Sequence, residues 1–141
     1  MKTNIATTRE QSNRLLQCGV PAYAADMTLS YCKGGFYELM ATPFHYGCFN
    51  EEDAPAFSLS CLLSLLPKEI YDENGDSYYF SIAKEFPLTE EYGAAYIPCW
   101  EKGDAIVRKR DNNPIDACVQ LIEWLAEDGY NLNGIEKGGE K

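Results

Sequence analysis

The segment 113–129 constrains the fold more than any other part of the chain. Asn113 stands as a helix cap, Pro114 at the first helical position, Asp116 in the first turn and Gly129 at the stop. Each sits where unpaired amides, a fixed proline φ and the helix dipole favour it. Between them Ile115, Cys118, Val119, Ile122, Leu125 and Ala126 recur on one helical face, and Leu121 and Trp124 widen the stripe. An apolar stripe this wide has to be covered, so the helix predicts a second layer for it to lie on.

The rest of the sequence supplies that layer as a sheet. Glu73-Asn74-Gly75-Asp76 separates two extended runs, 68–72 and 77–84. Asn-Gly between aromatic and β-branched residues is a strong hairpin signal, because both central positions need a positive φ. In the second run Tyr78, Phe80 and Ile82 alternate with Tyr79, Ser81 and Ala83, which sets one face on a core. Two more extended pieces, 94–100 and 105–109, flank the polar turn Glu101-Lys102-Gly103-Asp104 and continue the sheet as a meander. A further short strand is expected near 36–40.

Helices are expected elsewhere too. Thr7 and Thr8 are each followed three residues later by Glu10 or Gln11, two overlapping capping boxes for a helix ending near Cys18 at Gly19. A short helical turn follows Pro21, over 22–26. After the polar loop 50–55, Ser58 caps a helix with Leu59, Leu62, Leu63 and Leu66 on one face, ended by Pro67. The prediction is an α+β fold: an antiparallel, twisted sheet of about four strands with two or three helices packed on it. Residues 1–130 form a single domain, and 131–141, rich in Gly and charge, form a mobile tail.

Composition limits the function. With 12 Lys and Arg against 22 Asp and Glu, the net charge is −10, which repels phosphate backbones and anionic lipid. Direct nucleic-acid binding is therefore disfavoured, and the basic cluster Arg108-Lys109-Arg110 reads as a solvated strand end. The first residues lack the apolar run of a signal peptide and no stretch reaches the length of a membrane span. A cytoplasmic location with no membrane partner is expected. The six cysteines, Cys18, Cys32, Cys48, Cys61, Cys99 and Cys118, lack paired spacing and read as small buried hydrophobes in a reducing compartment.

The chemical motifs fail one by one. Asp72-Glu73-Asn74-Gly75-Asp76 opens like a calcium loop, but Ser77 replaces the required glycine and Ala83 the bidentate glutamate. His45 and Cys48, with Cys32 and Cys61, are the nearest approach to a zinc set, and only His45-x-x-Cys48 has close spacing. His45 is the sole histidine, so a small hydrolase needs it as base, yet no nucleophile signature accompanies it. Glycine-rich phosphate loops are missing, and no metal or cofactor is expected. The aromatic residues Tyr79, Tyr92, Tyr96 and Trp100 are candidates for a protein-binding surface on the sheet.

Three segments carry a resemblance. They are Phe57-Ser58-Leu59-Ser60-Cys61-Leu62-Leu63-Ser64-Leu65-Leu66-Pro67, then Tyr78-Tyr79-Phe80-Ser81-Ile82, then Asn113-Pro114-Ile115-Asp116-Ala117 with Glu123-Trp124-Leu125. In this order they resemble a small family of uncharacterised proteins that recur in gut Bacteroidetes and in their phages and mobile elements. The resemblance spans about residues 5 to 130 and brings no catalytic or binding residue with it. It implies a cytoplasmic accessory protein, of prophage origin, without a transferable activity. The expected function is a non-enzymatic protein-interaction module that binds a protein partner or itself. The alternatives are an acidic nucleic-acid mimic, which inhibits a DNA- or RNA-binding protein, and a hydrolase that uses His45.

Overall fold

A computed structural model describes residues 5–32, 34–44, 52–85, 91–98 and 104–135. The fold is α+β and, among the described residues, has a four-stranded antiparallel sheet, a second antiparallel sheet of three strands, and three α-helices. The larger sheet has the order β4-β5-β6-β7 and is formed by Glu69–Tyr71, Ser77–Lys84, Tyr92–Pro98 and Val107–Asp111. It is the predicted meander, built from neighbours in sequence. The smaller sheet, of order β2-β1-β3, joins Phe36–Met40, Met27–Cys32 and Ala54–Ala56.

Helix α3 (Pro114–Glu127) begins as its sequence dictates. The Asn113 side chain accepts a hydrogen bond from the Ile115 amide at 2.7 Å, and Gly129, at φ +90°, ends it. Ile115, Cys118, Val119, Leu121, Ile122 and Leu125 are buried, and the helix lies on β6 and β7. Helix α2 (Leu59–Leu65), capped by Ser58 through the Cys61 amide, packs beside α3. Together with Phe57, Leu15, Tyr96 and Ala94 these side chains form one core. Leu62, Phe80 and Ile122 belong to that same interior.

Helix α1 (Arg9–Gln17) uses the second of the two overlapping boxes. The Gln11 amide donates to Thr8 Oγ1 at 3.2 Å, and the Thr8 amide donates to Gln11 Oε1 at 2.9 Å. Thr7 is engaged elsewhere, since its buried hydroxyl bonds Ser12 Oγ at 2.8 Å and accepts from the Phe57 amide at 3.0 Å. The helix buries only Ser12 and Leu15, so polar contacts carry much of its docking. Gln11 bonds Asp116, and Arg14 donates to Glu123 through Nε at 2.8 Å and Nη2 at 2.5 Å. Of the short turn expected over 22–26, a 3-10 helix at Ala22–Ala24 forms.

Two expectations need correction. The sheet is not the only one: β1 pairs with both β2 and β3, although no strand was expected over Met27–Cys32 and the predicted loop 50–55 includes the first two residues of β3. Pro55 is compatible with a strand here because the ladder to β1 needs no amide from it. The segment after residue 130 is also not a tail from its start. Leu132 is buried, and the Asn133 amide donates to Leu65 O at 2.9 Å while its side chain donates to Leu66 O at 3.1 Å. These bonds satisfy carbonyls at the end of α2 that the helix itself leaves unpaired. Residues 136–141 of the expected tail lie outside the described residues.

Candidate interaction surface

Strand alternation sorts the candidate aromatics onto two faces of the larger sheet. The registers place Phe80 opposite Tyr96 and Lys84 opposite Tyr92 on the face that α3 covers. Tyr79 stands opposite Glu69 on one side and Ile97 on the other, on the reverse face. Tyr96 is therefore not part of a binding surface, which corrects the expectation from its sequence neighbourhood. It is fully buried, its ring lies 5.8 Å from that of Phe80, and its hydroxyl donates to Pro67 O at 2.7 Å. Burial, with the neighbouring Cys118 sulfur, pushes its hydroxyl pKa up. Tyr92 is half-buried at the same face, under the Lys84 ammonium. Trp100, His45 and Cys48 lie outside the described residues, as does Cys99.

Of the four candidates, Tyr79 remains on open surface, 42% exposed. A residue outside that set joins it: Tyr71, 57% exposed, on the same outward face. Its signal was its even spacing from Glu69 in β4, legible only once the strand's two ends were fixed. Tyr71, Tyr79 and the half-buried Ile97 occupy one end of this face. The charge and hydrogen bonding of Glu69 hold the Tyr71 phenol above its ordinary pKa.

The other end of the face is closed by charge. Glu85 lies over Gly93, where a Cβ would collide with its carboxylate, and holds Arg108 at 2.7 Å and Arg110 at 2.5 Å. Gly93 thus leaves the room in which one carboxylate spans two arginines. Hydrogen bonding to Arg110 first, and to Arg108, pulls the Glu85 pKa down. The basic cluster is not a free solvated strand end: two of its three cations are engaged on the sheet.

The remaining motifs show ordinary structural work. In the β4–β5 connection Asp72 Oδ1 accepts the Asn74 and Asp76 amides, both at 2.9 Å, and Oδ2 accepts the Tyr78 hydroxyl at 3.1 Å. That carboxylate closes a turn, with Gly75 at φ +87°. Among the described residues, no three His, Cys, Asp or Glu side chains converge as a metal site requires. Cys61 donates to Ala24 O at 3.2 Å, and burial together with the Asp26 charge pushes its thiol up to about 11. A shallow groove of about 350 Å³ between α1 and α3 is lined by Arg14, Gln17, Cys18, Glu123, Ala126 and Glu127. Burial and the two glutamates raise the Cys18 pKa, the reverse of what activates a thiol nucleophile.

Many carboxylates are likewise engaged inside the fold. Asp26 accepts from Ser58, Asp53 from the Tyr31 amide, Asp111 from Gln120, Asp116 from Gln11 and Glu123 from Arg14. No described helix is long and apolar enough to cross a membrane. No family model, curated protein or solved structure matches the chain.

Proposed function

We propose that this chain is a non-enzymatic protein-interaction module, and that its sheet presents the contact surface. The observation that carries this reading is the outward pair Tyr71 and Tyr79, beside Ile97, on the face opposite α3. Tyrosine combines a large apolar ring with a hydroxyl that still bonds in a wet interface, which is why it is favoured at contact centres. The Glu85, Arg108 and Arg110 group forms a polar rim at the other end of the same face. The resemblance to uncharacterised proteins of gut Bacteroidetes and of their phages and mobile elements implies such an accessory role, in the cytoplasm. The acidic-mimic reading has less support, since the carboxylates named above are tied into the fold.

The test is quantitative capture. The wild-type chain and a Tyr71→Ser, Tyr79→Ser variant serve as bait in cells that make the protein, with the captured proteins compared by mass spectrometry. A specific partner retained by wild type and reduced at least tenfold by the variant supports the reading. Equal capture by both refutes the sheet face as the contact, and hydrolysis of a substrate panel by the wild-type chain refutes the non-enzymatic reading.

A further inference from the structure

The two sheets expose strand edges that differ in how they are protected. Edge strands are usually kept short, or carry charge or proline, so that no foreign strand adds to them. β3 has three residues with Pro55 at its centre, and Ala6 bridges Ser58 just beyond it. β4 also has three residues. β7 carries Arg108, Lys109, Arg110 and Asp111. β2, Phe36–Met40, is an edge of five residues with the single charge Glu38.

The backbone direction along β2 follows from its neighbour. The Tyr31 amide donates to Asp53 Oδ1 at 2.8 Å, on the β3 side of β1. Peptide groups alternate sides along a strand, so Thr28, Ser30 and Cys32 aim theirs at β2. Their partners Met40, Glu38 and Phe36 aim back. Tyr37 and Leu39 therefore point their N–H and C=O groups outward. The hairpin end agrees: the Gly35 amide donates to Cys32 O at 3.0 Å, with Gly35 at φ +84°. Among the described residues no strand pairs with this outer ladder, and around it sit apolar side chains outside the core, Phe36 at 58% exposure and Met40 at 42%, with Glu38 between them on the same face.

We infer that the β2 edge accepts an extended segment of another protein as an antiparallel fourth strand. That segment is apolar opposite Phe36 and Met40 and basic opposite Glu38. Charge selects this occupant over a second copy. The two-fold register that pairs outward Tyr37 with outward Leu39 sets Glu38 against Glu38 of the other copy, and each copy adds a net charge of −10. Like charges directly opposed in adjacent strands destabilise the pair, whereas Lys or Arg there is attracted. Glu38 and its opposite residue form a non-hydrogen-bonded pair, the closer of the two antiparallel geometries. The inference extends the protein-binding reading but stands on residues remote in the chain from Tyr71 and Tyr79, so either one can fail without the other.

The probe is a soluble peptide with the core Val-Thr-Lys-Thr-Val, compared with the same peptide carrying glutamate for lysine. Amide resonances of the 15N-labelled full chain are followed during titration. The expected result is a shift of the Tyr37 and Leu39 amides, with the lysine peptide favoured by about threefold, the scale of an exposed cross-strand ion pair. Glu38→Lys reverses that preference. Leu39→Pro removes an outward amide that β1 does not use, so the fold persists while the shifts vanish. The Tyr71→Ser, Tyr79→Ser variant binds the peptide like wild type. Shifts that avoid Tyr37 and Leu39, equal binding of both peptides, or a dimer that Leu39→Pro converts to monomer would each overturn the inference.

Discussion

Replacing Tyr96 by phenylalanine separates a core residue from a contact residue. The ring stays in place against Phe80, so no cavity opens, but the 2.7 Å hydrogen bond to Pro67 O is lost. A buried carbonyl left without its donor costs about 1–2 kcal/mol. Pro67 follows α2 closely, so the bond ties the end of that helix to the middle of β6. For a domain of this length, each kcal/mol moves the thermal midpoint by about 3 °C, and the expected fall is roughly 3–6 °C. Urea titration gives the free energy directly, with an unchanged m-value showing that the folded and unfolded ensembles keep their exposed surface. Tyr79→Phe is the control: its ring is 42% exposed, and it should move stability by less than about 0.5 kcal/mol. Equal stability of Tyr96→Phe and wild type, or equal losses for the two variants, refutes the assignment of Tyr96 to the core side of the sheet.

Other perturbations test the packing elsewhere. Truncation after Tyr130 removes Leu132 and Asn133 and should cost about 2–4 kcal/mol by urea unfolding, the range of a large buried side chain lost with its hydrogen bonds. Glu123→Gln breaks the Arg14 pair on partly exposed surface and should cost less than about 1 kcal/mol, the difference shrinking as salt is added. Burial pushes the Cys118 thiol up to about 12 from 9.0. Its folded-state pKa is raised, so its contribution is complete below pH 9 and is lost as pH rises from 9 towards 12. Cys118→Ala should flatten that alkaline decline in a series of urea midpoints, and an unchanged slope would count against it.

Local signals survived the passage from sequence to structure where one segment contained the whole cause. The Asn113 cap, Pro114 and Gly129 fix α3, Asn74-Gly75 fixes the β4–β5 turn, and the alternation of Tyr78, Phe80 and Ile82 fixes the buried face of β5. Overlapping signals did not decide between themselves. Thr7 and Thr8 are equivalent as caps until Phe57 and Ser12 claim the Thr7 hydroxyl. β3 was illegible for a different reason: Ala54-Pro55-Ala56 has no strand pattern, and its pairing partner lies more than twenty residues away at Met27–Leu29.

The candidate surface depended on register in the same way. In β6, Gly93, Ala94 and Ala95 are small on both faces, so nothing in that strand tells inside from outside. Pairing with β5 and coverage by α3 send Tyr96 inward and leave Tyr79 and Tyr71 outward. The amino-acid sequence by itself determined the helices, the central hairpin and the acidic charge, because caps, turns and periodicity act within a few residues. Only the tertiary structure decided which tyrosines are core, which carboxylates are engaged and which strand edge stays open, because those depend on neighbours that the chain brings together from a distance.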